Sequence, residues 1–156
     1  MQDILSIHFA PLQGYTEAFY RNAHAACFGG IDSYYTPFVR LEKGNFRRRD
    51  VRGIEPENNG VAHLIPQLIA SSAEKAEVIL SLFIEKGYQE VDINLGCPFP
   101  LLAKRHNGSG ILPYPEEVKA LLSIVTRYPQ ISFSVKMRLG WEQPDECLAL
   151  APILND

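Results

Sequence analysis

Cys97 stands between Gly96 and Pro98, directly after the run Asp92-Ile93-Asn94-Leu95. A thiol on such a strand-to-loop turn has two chemical uses. As a nucleophile it needs its pKa lowered by a cation or a helix N-terminus. As a general acid it keeps its ordinary value of about 8.5 and stays protonated at neutral pH. No histidine adjoins it in sequence, and His106 is near enough along the chain to approach. A Cys/His nucleophile pair and a protonated acid are therefore both open at this point.

Three further groups could share a site with it. Gln67 is an amide that both donates and accepts, suited to a ring edge of mixed polarity, or simply a satisfied polar residue near a strand end. Lys136 and Arg138 fall on one strand face and call for an anionic or electron-rich partner, which could equally be Asp92 or Glu90. The loop Lys104-Arg105-His106-Asn107-Gly108-Ser109-Gly110 combines cations with glycines. It fits neither GxGxxG nor the Walker pattern, so flexible cover is as good a reading as phosphate binding. Lys104-Arg105-His106 and Arg47-Arg48-Arg49 with Arg52 are basic clusters that serve either as solvated loops or as a phosphate-contacting rim. Cys27 and Cys147 fall on helical segments and read as packing residues.

The elements that must position these groups alternate between β-rich runs and helical patterns. Strands are predicted over 6–12, 33–40, 62–70, 90–95 and 132–139. Helices are predicted over 16–26, capped by Thr16; from the capping-box pattern Ser71-x-x-Glu74 to Gly87; from Pro115, with the stripe Val118, Leu121, Leu122, Val125; and from Pro144 onward. Residues 41–60 are polar and read as a loop. Such βα alternation implies a mostly parallel sheet with helices outside it. Alternation of Val91, Ile93 and Leu95 against Asp92 and Asn94, repeated over 132–139, favours a (β/α)₈ barrel over a doubly wound sheet, whose central strands read almost continuously apolar. Five strands make the barrel partial, since a full one takes about 250 residues. Site residues would then gather at the strands' C-terminal ends.

Composition bounds the rest. The chain has 156 residues, 46% hydrophobic and 21% charged, enough for a real core. Net charge is −3, against the basic excess usual for a dedicated nucleic-acid-binding domain. Three scattered cysteines without CxxC support neither a disulfide framework nor a zinc ribbon, and no metal site is expected. With no secretory leader and no membrane span in the pattern, a reducing cytoplasmic setting is expected.

Taken together, the motifs resemble those of the tRNA-dihydrouridine synthases, FMN-dependent (β/α)₈ flavoproteins. Ala10-Pro11-Leu12-Gln13-Gly14-Tyr15-Thr16 is similar to the family's APM-x-G-x-T, with Leu12 and Gln13 in place of Met-Ala. Asp92 to Pro98 resembles D-I-N-x-G-C-P, and Val135 to Trp141 resembles V-K-x-R-x-G-W, with Lys104, Gly108-Ser109-Gly110 and Leu112 at family spacing.

The resemblance implies reduction of uridine to 5,6-dihydrouridine in tRNA, with NAD(P)H, expected as NADPH, reducing the FMN. Cys97 would be the acid that protonates C5 while reduced flavin gives hydride to C6. Pro11, Leu12, Gln67 and Lys136 would hold the flavin ring, and Asn94, Lys104 and Arg138 the substrate. It also implies that residues 1–156 are the N-terminal portion of the catalytic barrel, without its second half or the helical tRNA-binding domain. Exposed barrel edges would then favour a homo-oligomer. Two alternatives remain beside this: another FMN barrel oxidoreductase acting on a small pyrimidine, or an inactive fragment that binds no flavin.

Overall fold

The computed structural model describes residues 5–155, and the chain divides into two compact units at Gln67/Leu68. The first unit runs β1 (His8–Phe9), α1 (Ala18–Cys27), β2 (Ser33–Tyr35), a hairpin of β3 (Leu41–Glu42) and β4 (Asn45–Phe46), α2 (Arg48–Ile54) and β5 (Leu64–Ile65). Its sheet has the order β1-β2-β5, with both pairs parallel, His8 opposite Ser33 and Tyr34 opposite Leu64. The predicted third strand is cut in two at Pro66, which has no N–H for a ladder; its second half is β6 (Gln67–Leu68), at the junction of the units.

Within the first unit, Arg21 of α1 is fully buried and acts as a hub. Its guanidinium donates to the carbonyls of Thr16 (2.6 Å) and Gly53 (2.7 Å) and to Asn59 Oδ1 (2.5 Å). The helix begins two residues later than its sequence predicts. Thr16 does not cap it; its hydroxyl accepts the Leu12 N–H at 2.8 Å and closes the preceding turn instead.

The 41–60 stretch is structured rather than a loop. Lys43 and Gly44, both at positive φ (52° and 79°), turn the hairpin, and α2 follows. The arginine cluster lies on this excursion, and two of its members face acids. Arg47 is 3.9 Å from Glu42, and Arg49 is 3.6 Å from Glu17 and 3.8 Å from Asp50. Burial pushes the Asp50 carboxyl up from its ordinary range, while Arg47, Arg49 and Arg40 pull it the other way.

The second unit continues with α3 (Ala73–Glu85), β7 (Glu90–Leu95), α4 (Pro100–Ala103), α5 (Pro115–Arg127), β8 (Ser132–Met137) and α6 (Cys147–Asn155). Sheet order is β6-β7-β8, and β7 pairs with β8 in parallel along its whole length. Ser72, one residue later than predicted, caps α3 by accepting the Lys75 N–H. Ala73, Ala76, Ile79, Leu80 and Phe83 bury its inner face, and Val118, Leu121 and Ile124 bury that of α5. Val125, predicted for that stripe, is 37% exposed. Glu77 of α3 ties to the end of α5 through Arg127 (2.9 Å) and the Tyr128 hydroxyl (2.7 Å).

Strands in chain order, parallel pairing and flanking helices are the features of a partial (β/α)₈ barrel rather than of a doubly wound sheet, whose order reverses at a switch point. Among the described residues, no helix is long and apolar enough to cross a membrane.

Candidate functional site

The last residue pairs of β7 and β8 set the site. Register places Asp92 opposite Ser134 and Asn94 opposite Lys136. Paired residues of parallel strands project to one face, and the 2.7 Å bond from Ser134 Oγ to Asp92 Oδ1 shows that they do so here. The polar face read from the alternation is therefore real. Its β7 half is buried, with Asp92 and Asn94 under 10% exposed, whereas Ser134 and Lys136 on β8 are open to solvent.

Beyond β7 the chain turns sharply, and Asn94 makes the turn. Its Oδ1 accepts the backbone N–H of Gly96 (3.1 Å) and of Cys97 (2.9 Å). A side-chain oxygen two and three residues upstream thus replaces the ladder partners that these amides lose where the strand ends. The Cys97 carbonyl is held from the other side by the Ser109 N–H and by Ser109 Oγ, each at 3.0 Å. Gly108 (φ 61°) passes so close that a Cβ there would lie 2.6 Å from the Cys97 carbonyl oxygen and 2.9 Å from Cys97 Cβ. The Gly108–Ile111 3₁₀ turn is wholly buried. It packs against Cys97 and braces its carbonyl.

Cys97 itself is half-buried, and among the described residues no hydrogen bond reaches its sulfur. His106 does not pair with it. The imidazole Nδ1 is 2.7 Å from Glu117 Oε2, and the ring stacks on Tyr114 with centroids 4.2 Å apart and 12° between planes. The Cys97–His106 pair left open by the sequence is therefore not formed. Of the other cysteines, Cys147 is half-buried, but Cys27 is exposed and does not fit the packing reading.

The strand end of β8 lies beside this turn: the space at Gly96 is bounded by the Lys136 carbonyl and the Arg138 N–H, 3.5 and 3.6 Å from a Cβ position there. Asn94, Cys97, Lys136 and Arg138 thus share one end of one sheet. Lys104, just past α4, is exposed and lines a groove that includes none of these four residues but shares Gly110 of the turn behind Cys97. Among the described residues neither Lys136 nor Arg138 has an ion-pair partner, so the structural pairing with Asp92 or Glu90 is not what occupies them.

The remaining candidates belong to the first unit. Gln67 is fully buried, its backbone fixed by the Thr36 hydroxyl (3.0 Å) and the Val39 N–H (2.8 Å). Pro11 and Leu12 form the turn closed by Thr16, with Leu12 58% exposed. Two residues that hold these turns carry no local signal for it: Thr16 stands where a helix cap is expected, and Ser109 stands in a glycine-rich loop. Asn94, expected from the resemblance at the substrate, also makes the turn.

Comparison with known proteins follows the same residues. The family model "Dihydrouridine synthase (Dus)" matches residues 8–156. "tRNA-dihydrouridine synthase B" of Vibrio cholerae is 33% identical over 92 residues, 58% of this chain and 26% of that protein. "Probable tRNA-dihydrouridine synthase 1" of Synechocystis is 29% identical over 139 residues, 85% and 37% respectively. "tRNA-dihydrouridine(16) synthase" of Haemophilus ducreyi is 28% identical over 172 aligned residues, 99% and 50% respectively. The chain spans half or less of the length of these relatives.

Proposed function

Given that this chain belongs to the dihydrouridine synthase family, we propose that it carries the proton-donating part of a flavin-dependent reduction of uridine to 5,6-dihydrouridine in tRNA. The observation that carries the reading is the Cys97 turn: a thiol without a base, locked by Asn94 and Ser109 beside two exposed cations.

The donor set suits an FMN ring. Of the residues in the second unit, the exposed Lys136 ammonium would match the acceptors on the ring's pyrimidine edge, while Gln67, Pro11 and Leu12 of the first unit keep the flavin roles that the family resemblance implies. When bound, and reduced by NADPH, FMN would supply hydride chemistry toward C6 of the uracil. The residues of this chain do the rest. Cys97 Sγ–H gives its proton to C5, and the thiolate left behind is reprotonated from solvent. Asn94 fixes the backbone that carries Cys97, so that the side chain starts from one anchored position. Arg138 and Lys104 bind the polynucleotide, Arg138 at the strand end beside the Cys97 turn and Lys104 in the groove lined also by Gly110.

The test uses the purified chain with FMN, NADPH and unmodified tRNA transcript, reading dihydrouridine by mass spectrometry and flavin binding by absorbance. A flavin spectrum with dihydrouridine formation supports the reading; flavin binding with turnover of free pyrimidines but not of tRNA would replace it with a small-molecule oxidoreductase.

A further inference from the structure

A groove of about 590 Å³ in the second unit is lined by Lys104, His106, Tyr114, Trp141, Glu142 and Glu146, among others. Its floor also includes Gly110, the last glycine of the turn that braces Cys97, so the groove adjoins the site already described.

The aromatic lining is fixed in advance. Tyr114 carries the stacked His106 ring, which Glu117 holds through Nδ1. Trp141 is placed by Glu146, whose carboxylate accepts the backbone N–H of Trp141 (2.6 Å), Gln143 (3.0 Å) and Glu142 (3.1 Å). Any residue but glycine at 140 would run into the Gln143 carbonyl, so this segment is closed tightly on itself. Even so, Tyr114 and Trp141 are 43% and 40% exposed. Aromatic rings carried on a braced backbone and open to solvent offer stacking area at reduced ordering cost.

Charge narrows the occupant. Lys104 shares the lining with Glu142 and Glu146, and three N–H groups already engage the Glu146 carboxylate. Such a lining does not select a bare phosphate; it favours a neutral planar ring with one phosphate near the lysine. A single-stranded polynucleotide has that chemistry.

We propose that this groove is a stacking subsite for a nucleobase next to the reduced uridine, with Lys104 on the adjoining phosphate and Glu146 as the positioning residue for Trp141. The proposal rests on an RNA substrate for the Cys97 site and extends it by one nucleotide.

Trp141 is the chain's only tryptophan, so its fluorescence reports on the groove directly. The Cys97→Ala chain, loaded with FMN, is titrated with an oligoadenylate pentamer, which contains no uridine to reduce. Saturable quenching is expected, about tenfold weaker with Tyr114→Leu, the usual scale for loss of one stacking partner. Lys104→Ala, an exposed change that leaves the fold alone, should lower the salt slope of binding by about 0.7. Glu146→Gln should weaken binding and shift the free emission.

Non-saturable quenching, or equal quenching in the Tyr114→Leu and Lys104→Ala chains, overturns the subsite, as does saturation by a proline-rich peptide but not by the oligonucleotide. The two readings separate cleanly. Dihydrouridine formation with an unchanged tRNA KM in both variants removes the subsite and keeps the reduction; oligonucleotide binding without dihydrouridine formation keeps the subsite and removes the reduction.

Discussion

At the end of β7 the polar groups are turned inward: Asn94 Oδ1 takes two backbone amides, the Cys97 carbonyl takes two donors from Ser109, and Gly108 fills the space behind. The neighbouring end of β8 is built the other way. Lys136 and Arg138 are exposed and, among the described residues, have no ion-pair partner. A proton donor has to arrive at one atom of its substrate, and a rigid turn serves that. Cations that receive a ligand lose least by waiting in water, where they carry no desolvation cost before binding. The same sheet thus presents one fixed and one open strand end, which under the proposed reading would aim the proton and receive the ligand respectively.

Breaking the fixed end should give the largest effect on stability. Gly108→Val puts a β-branched residue at φ 61° and its Cβ against the Cys97 carbonyl. The left-handed conformation costs about 1–2 kcal/mol and the overpacking about 1–3 kcal/mol more. A loss of that size in denaturant unfolding is expected, together with loss of uridine reduction. Asn94 gives a sharper cut. Asn94→Ala leaves two amides at the turn without their acceptor and should lower kcat by about 10²-fold, the low end for a displaced proton donor. Asn94→Asp keeps an acceptor at the same place and should recover most of that loss, with KM little changed in either variant. A KM effect with kcat intact would make Asn94 a substrate ligand and not a positioning residue.

The open end predicts the reverse pattern. Lys136→Ala and Arg138→Ala should each leave stability within about 0.5 kcal/mol, as for exposed changes that break no pairing, yet weaken flavin or tRNA binding. A marked stability loss in either would mean that these cations are structural after all.

The smallest effect concerns acid. The Trp141, Gln143 and Glu142 amides hold the Glu146 carboxyl below its ordinary value of 4.5. A depressed pKa means that the stabilisation is present above the ordinary value and fades as pH falls through the lowered one. Trp141 emission should be flat at neutral pH and change only in the acid below 4.5, and Glu146→Gln should abolish that transition. A transition centred near neutrality would point to another group.

How much of this was legible beforehand varies with the range of the interaction. Strand order, the placement of Cys97 at a strand end and the shared face of Lys136 with Asn94 follow from period and local chemistry, and the sequence carries both. The hairpin and α2 within 41–60 were missed because two-residue strands and a seven-residue helix with three arginines give no periodic signal. Pro66 should have split the third strand on sight, since a proline cannot sit in an unbroken ladder. The Asn94 turn was also readable: Asn followed at two and three positions by Gly-Cys is the spacing of a side-chain-closed turn. By contrast, the His106–Glu117 bond and the grip of Ser109 on Cys97 depend on how the loop returns after α4, which no local pattern states.

The central claim is that Cys97 donates a proton and does nothing else. Single-turnover mixing of the reduced, FMN-loaded Cys97→Ala chain with tRNA tests it most directly, following flavin reoxidation. Flavin binding and reduction by NADPH should be preserved, while reoxidation by uridine slows by about 10²–10⁴-fold. Loss of flavin binding with no separate effect on the uridine step would contradict the account and make Cys97 a structural residue.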